Sequence, residues 1–312
     1  MLVMKTAVSF LIAAYVSTPV LLYALPWTLG YAIFAHLLRI PLFVDLGRPE
    51  NILNHTSNFY LHTEEGITAY APCQPMGRGR REKPRMVPRS SWRRKPCYCL
   101  SPWQRGKQIL SRGGFHVLSL DYRGFGDSTG VPTESGLTTD ALYLYKWVKR
   151  HSRRSLVYLW GHSLGSGVAS NTAVKLQEEG STLDALILEA AFTKIGEVVT
   201  VFPLSKLYMF LPGFEDFLWD TLETNNLLFA NDENVKALTC PLLILHAEDD
   251  DVVPYHMGQK LYQIAARVRK ERHSNVKLEM ISYEASHGYS HCDIHLDPNL
   301  SKSVREFLNL RG

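Results

Sequence analysis

The feature that most constrains this chain is residues 156–167. An apolar run, Val157, Tyr158, Leu159 and Trp160, ends at Gly161-His162-Ser163-Leu164-Gly165 and passes into small residues and then a helical pattern. The run reads as a buried strand, and Gly165, Gly167, Ala169 and Val174 read as one side of a helix packed close against a sheet. A turn this tight holds its central residue in strained backbone geometry, and the glycines on either side remove the clash a Cβ would cause. In that setting the pattern G-x-S-x-G presents Ser163 as an exposed, activated serine. The same five letters also serve as an ordinary glycine turn in a parallel sheet, so an acid and a histidine must follow for the serine to act as a nucleophile.

The rest of the chain supplies the sheet. Residues 115–120, 183–188, 241–245 and 276–281 read as strands. Between them lie a helix with the face Ala141, Leu144, Tyr145 and Val148, an amphipathic helix over residues 255–267, and a closing helix over residues 300–308. Thr138, Thr139 and Asp140 are capping candidates for the first of these. Residues 59–70 read as a hairpin turning at Glu64-Glu65-Gly66, and Asp121 and Arg123 are expected to pair within their own loop. Residues 192–238 carry eight scattered Phe, Tyr and Trp side chains without a clean period, as a cap over the strand ends would. The alternation predicts a mainly parallel sheet with helices on both faces. At 312 residues and 46% hydrophobic content there is room for one large α/β domain over residues 46–312 and an appendage over residues 1–45.

The formal charge of +4 conceals a local imbalance. Residues 73–112 hold twelve Lys or Arg against one acid, Glu82, a local +11 that leaves −7 for the rest. Basic character confined to one segment does not make the domain a nucleic-acid binder. That segment also holds five prolines and no apolar run beyond residues 97–100, so nothing in it reads as a central strand. Of five cysteines, Cys73, Cys97 and Cys99 lie there, without the second ligand pair a zinc site needs. No metal and no cofactor is expected.

Residues 6–25 are twenty positions without a charge, the length of a membrane-crossing helix, with Pro19 as a kink. A cleaved signal peptide is the rival reading, opposed by apolar character that continues through Trp27, Leu29, Tyr31, Ile33 and Phe34 with no clear cleavage site. A retained anchor followed by an interfacial helix over residues 27–40 is the expectation. Asn54-His55-Thr56 matches a glycosylation acceptor, used only where the body of the protein faces a lumen.

Loops at the carboxyl ends of strands carry the chemistry in such sheets. Asp249, Asp250 and Asp251 follow one strand end and Glu189 another. Three adjacent acids cannot all be buried without partners, so one points inward. Three late histidines, His287, His291 and His295, are candidates for the base; His162 is not, because the neighbour of an elbow serine points away from it. The order serine, acid, histidine is that of α/β-hydrolases. Asp121-Tyr122-Arg123-Gly124, the elbow, Phe229-Ala230-Asn231-Asp232-Glu233-Asn234-Val235-Lys236 and residues 241–254 together make the chain, from Asn54 on and outside residues 73–112, resemble the alpha/beta-hydrolase domain-containing 12 family of membrane-anchored lysophosphatidylserine lipases.

The resemblance implies particular residues. The family's acid stands four positions before the proline, which is Asp250 here, with Asp249 its nearest rival. The family's Gly-Tyr-x-His appears as Gly288-Tyr289-Ser290-His291, naming His291 as base, with His287 beside a glycine as the alternative. The Leu164 backbone N–H is one oxyanion donor. The second normally lies in a His-Gly loop after the strand that precedes residues 115–120, and both strand and loop are expected to be missing, their place taken by residues 73–112. Losing one donor costs roughly 10² to 10³ in turnover. Either the basic segment supplies a substitute, or it marks an aberrant product of alternative splicing or of non-coding sequence.

The expected function is serine hydrolysis of acyl esters of lysophospholipids or monoacylglycerols, in the endoplasmic reticulum membrane with a lumenal catalytic domain. A catalytically impaired relative that acts at most as a membrane or lipid-binding protein is the rival from another class. A thioesterase or peptidase with the same triad is a third reading, since a triad does not define the leaving group.

Overall fold

The computed structural model describes residues 2–34, 57–63, 68–74, 97–99, 110, 115–152 and 155–310. Asn54, the Glu64-Glu65-Gly66 turn and most of residues 73–112 lie outside these. Eight strands form one sheet: β1 (Ser57–His62), β2 (Thr68–Gln74), β3 (Cys97–Cys99), β4 (His116–Leu118), β5 (Val157–His162), β6 (Ala185–Glu189), β7 (Leu242–Ala247) and β8 (Leu278–Tyr283). Their order is β1-β2-β4-β3-β5-β6-β7-β8. The pairs β1–β2 and β2–β4 are antiparallel, and every pair from β4 to β8 is parallel.

Strand β3 overturns the expectation of a missing central strand. Cys97, Tyr98 and Cys99 pair in parallel with His116, Val117 and Leu118 on one side and with Val157, Tyr158 and Leu159 on the other. Backbone groups of β4 and β5 that a gap would leave unpaired in mid-sheet are therefore satisfied. Three residues suffice because both flanking strands are in place. The basic, proline-containing segment thus contributes the three residues that close the sheet between β4 and β5.

The core strands are buried on both faces, as a parallel sheet requires. Along β5, Val157 and Leu159 join one apolar cluster while Tyr158 and Trp160 join the other. Leu186 and Leu188 against Ala185 and Ile187 in β6, and Leu242 and Ile244 against Leu243 and Leu245 in β7, repeat the division. The first cluster is covered by α3 (Glu134–Ser152), α4 (Leu164–Glu178) and α9 (Tyr255–Glu271), and the second by α10 (Leu300–Phe307).

Two local expectations change. Helix α3 begins at Glu134, so Thr138, Thr139 and Asp140 lie inside it. Asp140, almost fully buried, accepts from the Arg123 backbone N–H at 2.8 Å and from its guanidinium Nη2 at 2.8 Å. Arg123 therefore ties its loop to α3 instead of pairing only within that loop.

Residues 192–238 hold α5 (Ile195–Val201), α6 (Pro203–Lys206), α7 (Phe214–Thr224) and α8 (Asn231–Ala237). At the N-terminus α1 (Leu2–Ala24) contains Pro19, and α2 (Thr28–Phe34) follows. No single helix among the described residues is long and apolar enough to cross a membrane; Tyr15–Ala24 and Thr28–Phe34 pass that test together, bent by 110°. The N-terminal pair packs on the α5–α8 region. The Tyr15 and Tyr208 rings stack at 4.7 Å, each hydroxyl donating to a carbonyl on the other side, Tyr15 to Leu207 at 2.8 Å and Tyr208 to Tyr15 at 3.0 Å. Phe34 is buried against Phe125 and Phe229.

Candidate active site

Chain order runs β3, β4, α3, β5, with β5 placed on the far side of β3 from β4, so the direction of strand addition reverses at the β3–β5 seam. Ligand sites in open α/β sheets lie beyond the carboxyl ends of strands at such a reversal. Ser163 stands there, between the end of β5 and the start of α4, with φ 51° and ψ −122°. That conformation costs of order 1–3 kcal/mol for a non-glycine residue. It is held by the Ser163 N–H donating to the Glu189 carbonyl at 2.9 Å and the Ser163 carbonyl accepting from Ser166 N–H at 2.8 Å. Gly161 makes the turn possible: a Cβ there would overlap the Gly165 carbonyl.

The helix behind the serine is pinned from the side. Asn231, fully buried at the start of α8, donates to Ser166 Oγ at 3.1 Å and to the Phe192 carbonyl at 2.8 Å, and accepts from Ser170 Oγ at 2.5 Å. These bonds lock α4 to the start of α8 and to the residues that follow β6.

Ser163 Oγ lies 2.9 Å from His291 Nε2, and His291 Nδ1 lies 2.9 and 3.0 Å from the two carboxylate oxygens of Asp250. Asp250 Oδ1 also accepts from the backbone N–H groups of Val252 at 3.0 Å and Val253 at 2.8 Å. Burial pushes the Asp250 carboxyl upward. Hydrogen bonds from His246 and His291, the charge of His291 and the Val253 N–H outweigh burial and hold the group well below the usual carboxylate range. An ionised acid beside Nδ1 keeps the proton there, which leaves Nε2 free to accept from the serine hydroxyl.

The rivals have other partners. Asp249 accepts from Ser290 N–H at 3.0 Å, and Asp251 accepts from Ser290 Oγ at 2.9 Å, so the acids flanking Asp250 clamp the residue before His291, itself at φ 45°. Glu189 accepts the Trp160 indole N–H at 2.7 Å. His287 is exposed with Nδ1 3.1 Å from the Glu284 carbonyl of its own turn, and His295 Nδ1 faces the Cys292 carbonyl at 3.0 Å.

His162 has a place that spacing alone did not show. Its Nε2–H donates to the His291 carbonyl at 2.8 Å, and the two rings stand 4.9 Å apart. Burial, with the nearby His291, lowers its pKa below the ordinary histidine value despite the opposing pull of Glu189 and Asp250. Leu164 opens α4, where a backbone N–H has no carbonyl of a preceding helical turn to bond. The loop after β3, where a second oxyanion donor is sought, lies outside the described residues.

A family model described as "Serine aminopeptidase, S33" matches residues 104–230. Lysophosphatidylserine lipase ABHD12 of Danio rerio is 39% identical, covering 96% of this chain and 82% of that protein. The Xenopus tropicalis protein of the same name is 41% identical over 96% and 81%, and Protein ABHD12B of Homo sapiens is 41% identical over 89% and 79%. Among solved structures, the esterase Pf2001 of Pyrococcus furiosus has a TM-score of 0.56 at 18% identity, covering 84% of this chain and 92% of that one. Est1E of Butyrivibrio proteoclasticus has a TM-score of 0.55 at 18% identity, covering 80% and 98%. A likeness this low in identity speaks for the fold, while the identity to the lipases extends over most of both chains. With the sheet and nucleophile elbow in place, the chain belongs to the family of the ABHD12 lysophosphatidylserine lipases, ester-hydrolysing serine hydrolases of the α/β-hydrolase fold.

Proposed function

We propose that this chain hydrolyses the acyl ester of lysophospholipids, with lysophosphatidylserine as the leading substrate and monoacylglycerols as a second, through Ser163, His291 and Asp250. The observation that carries the reading is the continuous hydrogen-bonded path from Ser163 Oγ through His291 to Asp250, in a chain whose relatives bear the name of lysophosphatidylserine lipases. Ser163 Oγ attacks the ester carbonyl carbon as His291 Nε2 takes its proton, and the oxygen that gains the charge is met by the Leu164 N–H. Collapse of the tetrahedral intermediate breaks the bond to the glycerol oxygen, which leaves with the proton from His291. Water then repeats the sequence on the acyl-enzyme and frees the fatty acid.

The membrane enters the proposal with the substrate. Val16, Val20 and Tyr23 on α1, Trp27 and Tyr31 at α2, and Phe202, Leu204, Leu207 and Phe210 at α6 are large apolar side chains left exposed. Tryptophan and tyrosine of this kind favour the level of lipid head groups. Docked there, the α5–α8 region lies against the lipid from which an acyl chain is drawn. The proposed location is the endoplasmic reticulum membrane with a lumenal domain, read out by endoglycosidase sensitivity at Asn54.

The test is fatty-acid release by the full chain in mixed micelles from lysophosphatidylserine, lysophosphatidylcholine and monoacylglycerol, with Ser163→Ala as control. Faster release from lysophosphatidylserine, lost in the control, is expected. Equal release by the control refutes the assignment of Ser163, and a chain inert toward every lipid while active on thioesters or peptides refutes the substrate class.

A further inference from the structure

A second histidine stands against the Asp250 carboxylate, at the oxygen that His291 also meets. His246 lies in β7 and is fully buried. Its Nε2 is 2.9 Å from the Val253 carbonyl oxygen and 3.3 Å from Asp250 Oδ2. A carbonyl only accepts, so Nε2 carries the hydrogen and shares it between that carbonyl and the carboxylate. Its other nitrogen, Nδ1, is buried without a hydrogen-bond partner among the described residues. Leaving a buried polar nitrogen unmet is unfavourable, and an apolar ring of the same shape would avoid it. What a histidine adds at this position is the Nε2–H. Helix α9 is built around the ring as well: a Cβ on Gly258 would overlap Nδ1, and the Tyr255 ring meets the imidazole edge-on at 5.7 Å.

We propose that His246 is a positioning residue of the catalytic machinery, an imidazole whose Nε2–H grips the Asp250 carboxylate beside His291 and tempers how strongly that carboxylate draws on the His291 proton. The inference rests on the assignment of Ser163, His291 and Asp250 above. Asp250 then has a fixed donor for each lobe, His246 and His291 at Oδ2 and the Val252 and Val253 N–H groups at Oδ1, so it cannot rotate away during turnover. Without His246 the carboxylate keeps more of its charge, holds the His291 imidazolium more tightly, and raises the pH at which His291 becomes a base. The other titratable groups around this line are His162 from β5 and Glu189 from β6 on the His291 side, and Tyr255 from α9 on the His246 side. Asp249 and Asp251 on the same loop are engaged with Ser290.

The experiment is the pH profile of kcat/KM on a soluble p-nitrophenyl ester with the full chain. His246→Phe is expected to lower kcat about tenfold at unchanged KM and to move the acid limb upward by about half a pH unit. His246→Gln, whose amide N–H takes the place of Nε2–H, is expected to restore most of both. Gly258→Ala leaves His246 in the chain but pushes the ring off Asp250, and is expected to move the limb in the same direction; it decides the question if His246→Phe does not fold. An acid limb that stays put in these variants, with no rescue by glutamine, overturns the proposal and leaves His246 a packing residue. His291→Ala runs alongside: full activity there would instead refute the underlying triad.

Discussion

Replacing Asp250 with asparagine preserves shape and turns Oδ2, the acceptor that faces both His291 and His246, into a donor. The carboxylate accepts from His291 Nδ1 at 2.9 Å, from Val252 and Val253 N–H at 3.0 and 2.8 Å, and from His246 Nε2 at 3.3 Å. With the amide oxygen in the Oδ1 place the two backbone donors keep their acceptor, so the turn survives. The amide NH₂ then stands where Oδ2 stood, donor against donor, toward His291 Nδ1 and His246 Nε2 alike. His291 relieves the conflict by carrying its proton on Nε2, which lets Nδ1 accept from the amide but turns an N–H toward Ser163 Oγ. A ring in that state cannot take the serine proton. The same exchange in another serine triad lowers kcat about 10⁴-fold, equivalent to about 5 kcal/mol of barrier. The assay is p-nitrophenyl ester hydrolysis together with the rate of fluorophosphonate labelling, with a thermal melt to show that the variant is folded. Asp249→Asn is the matched control, since its partner is the Ser290 N–H, and is expected to stay within about tenfold of the parent. An Asp250→Asn variant retaining more than a tenth of the activity, or an Asp249→Asn variant falling equally far, refutes the reasoning.

The remaining predictions concern the frame around the site. His291→Ala is expected to abolish ester hydrolysis while His287→Ala, on an exposed turn, leaves it near the parental rate, as read by initial rates. Asn231→Ala removes three side-chain hydrogen bonds from a fully buried position and is expected to cost about 2–4 kcal/mol in urea unfolding. Tyr98→Pro removes a backbone N–H from mid-sheet and is expected to cost about 1–3 kcal/mol or to prevent folding; an unchanged urea midpoint would show that residues 97–99 do not pair with both neighbours. His162, lowered by burial, stays neutral in the fold at a pH where the unfolded chain takes up a proton. It therefore contributes stability above the ordinary histidine pKa of about 6.5, lost as pH falls, and His162→Gln is expected to flatten the decline in melting temperature between about pH 7.5 and 5.5.

The elbow was legible because its cause is local: a strand, a glycine on each side of the serine, and a helix of small residues occupy one continuous stretch. Strand β3 was hidden for the opposite reason. Three residues cannot display a period of two, and Cys97-Tyr98-Cys99 belongs to the sheet only because β4 and β5 flank it. Spacing also fails where candidates are crowded. Asp249, Asp250 and Asp251 differ by one position each, and their separate partners, Ser290 N–H, His291 and Ser290 Oγ, are fixed by a loop 40 residues downstream. The family resemblance ordered those acids where composition and spacing left them open. Arg123, expected to pair within its own loop, also binds Asp140, 17 residues on, because α3 starts a turn earlier than its threonines suggest. His246 carried no signal at all, being one polar letter at the end of an apolar strand whose value lies in what its nitrogen meets.

The central claim is that Ser163 is an activated nucleophile in this chain, with its basic segment intact. Incubating the folded full-length protein with a fluorophosphonate and mapping the adduct by mass spectrometry tests it most directly. The account predicts a single phosphonylated residue, Ser163, approaching one adduct per chain, absent in Ser163→Ala and strongly slowed in His291→Ala. A folded protein that gains no adduct at Ser163, or that is modified equally well without His291, contradicts it.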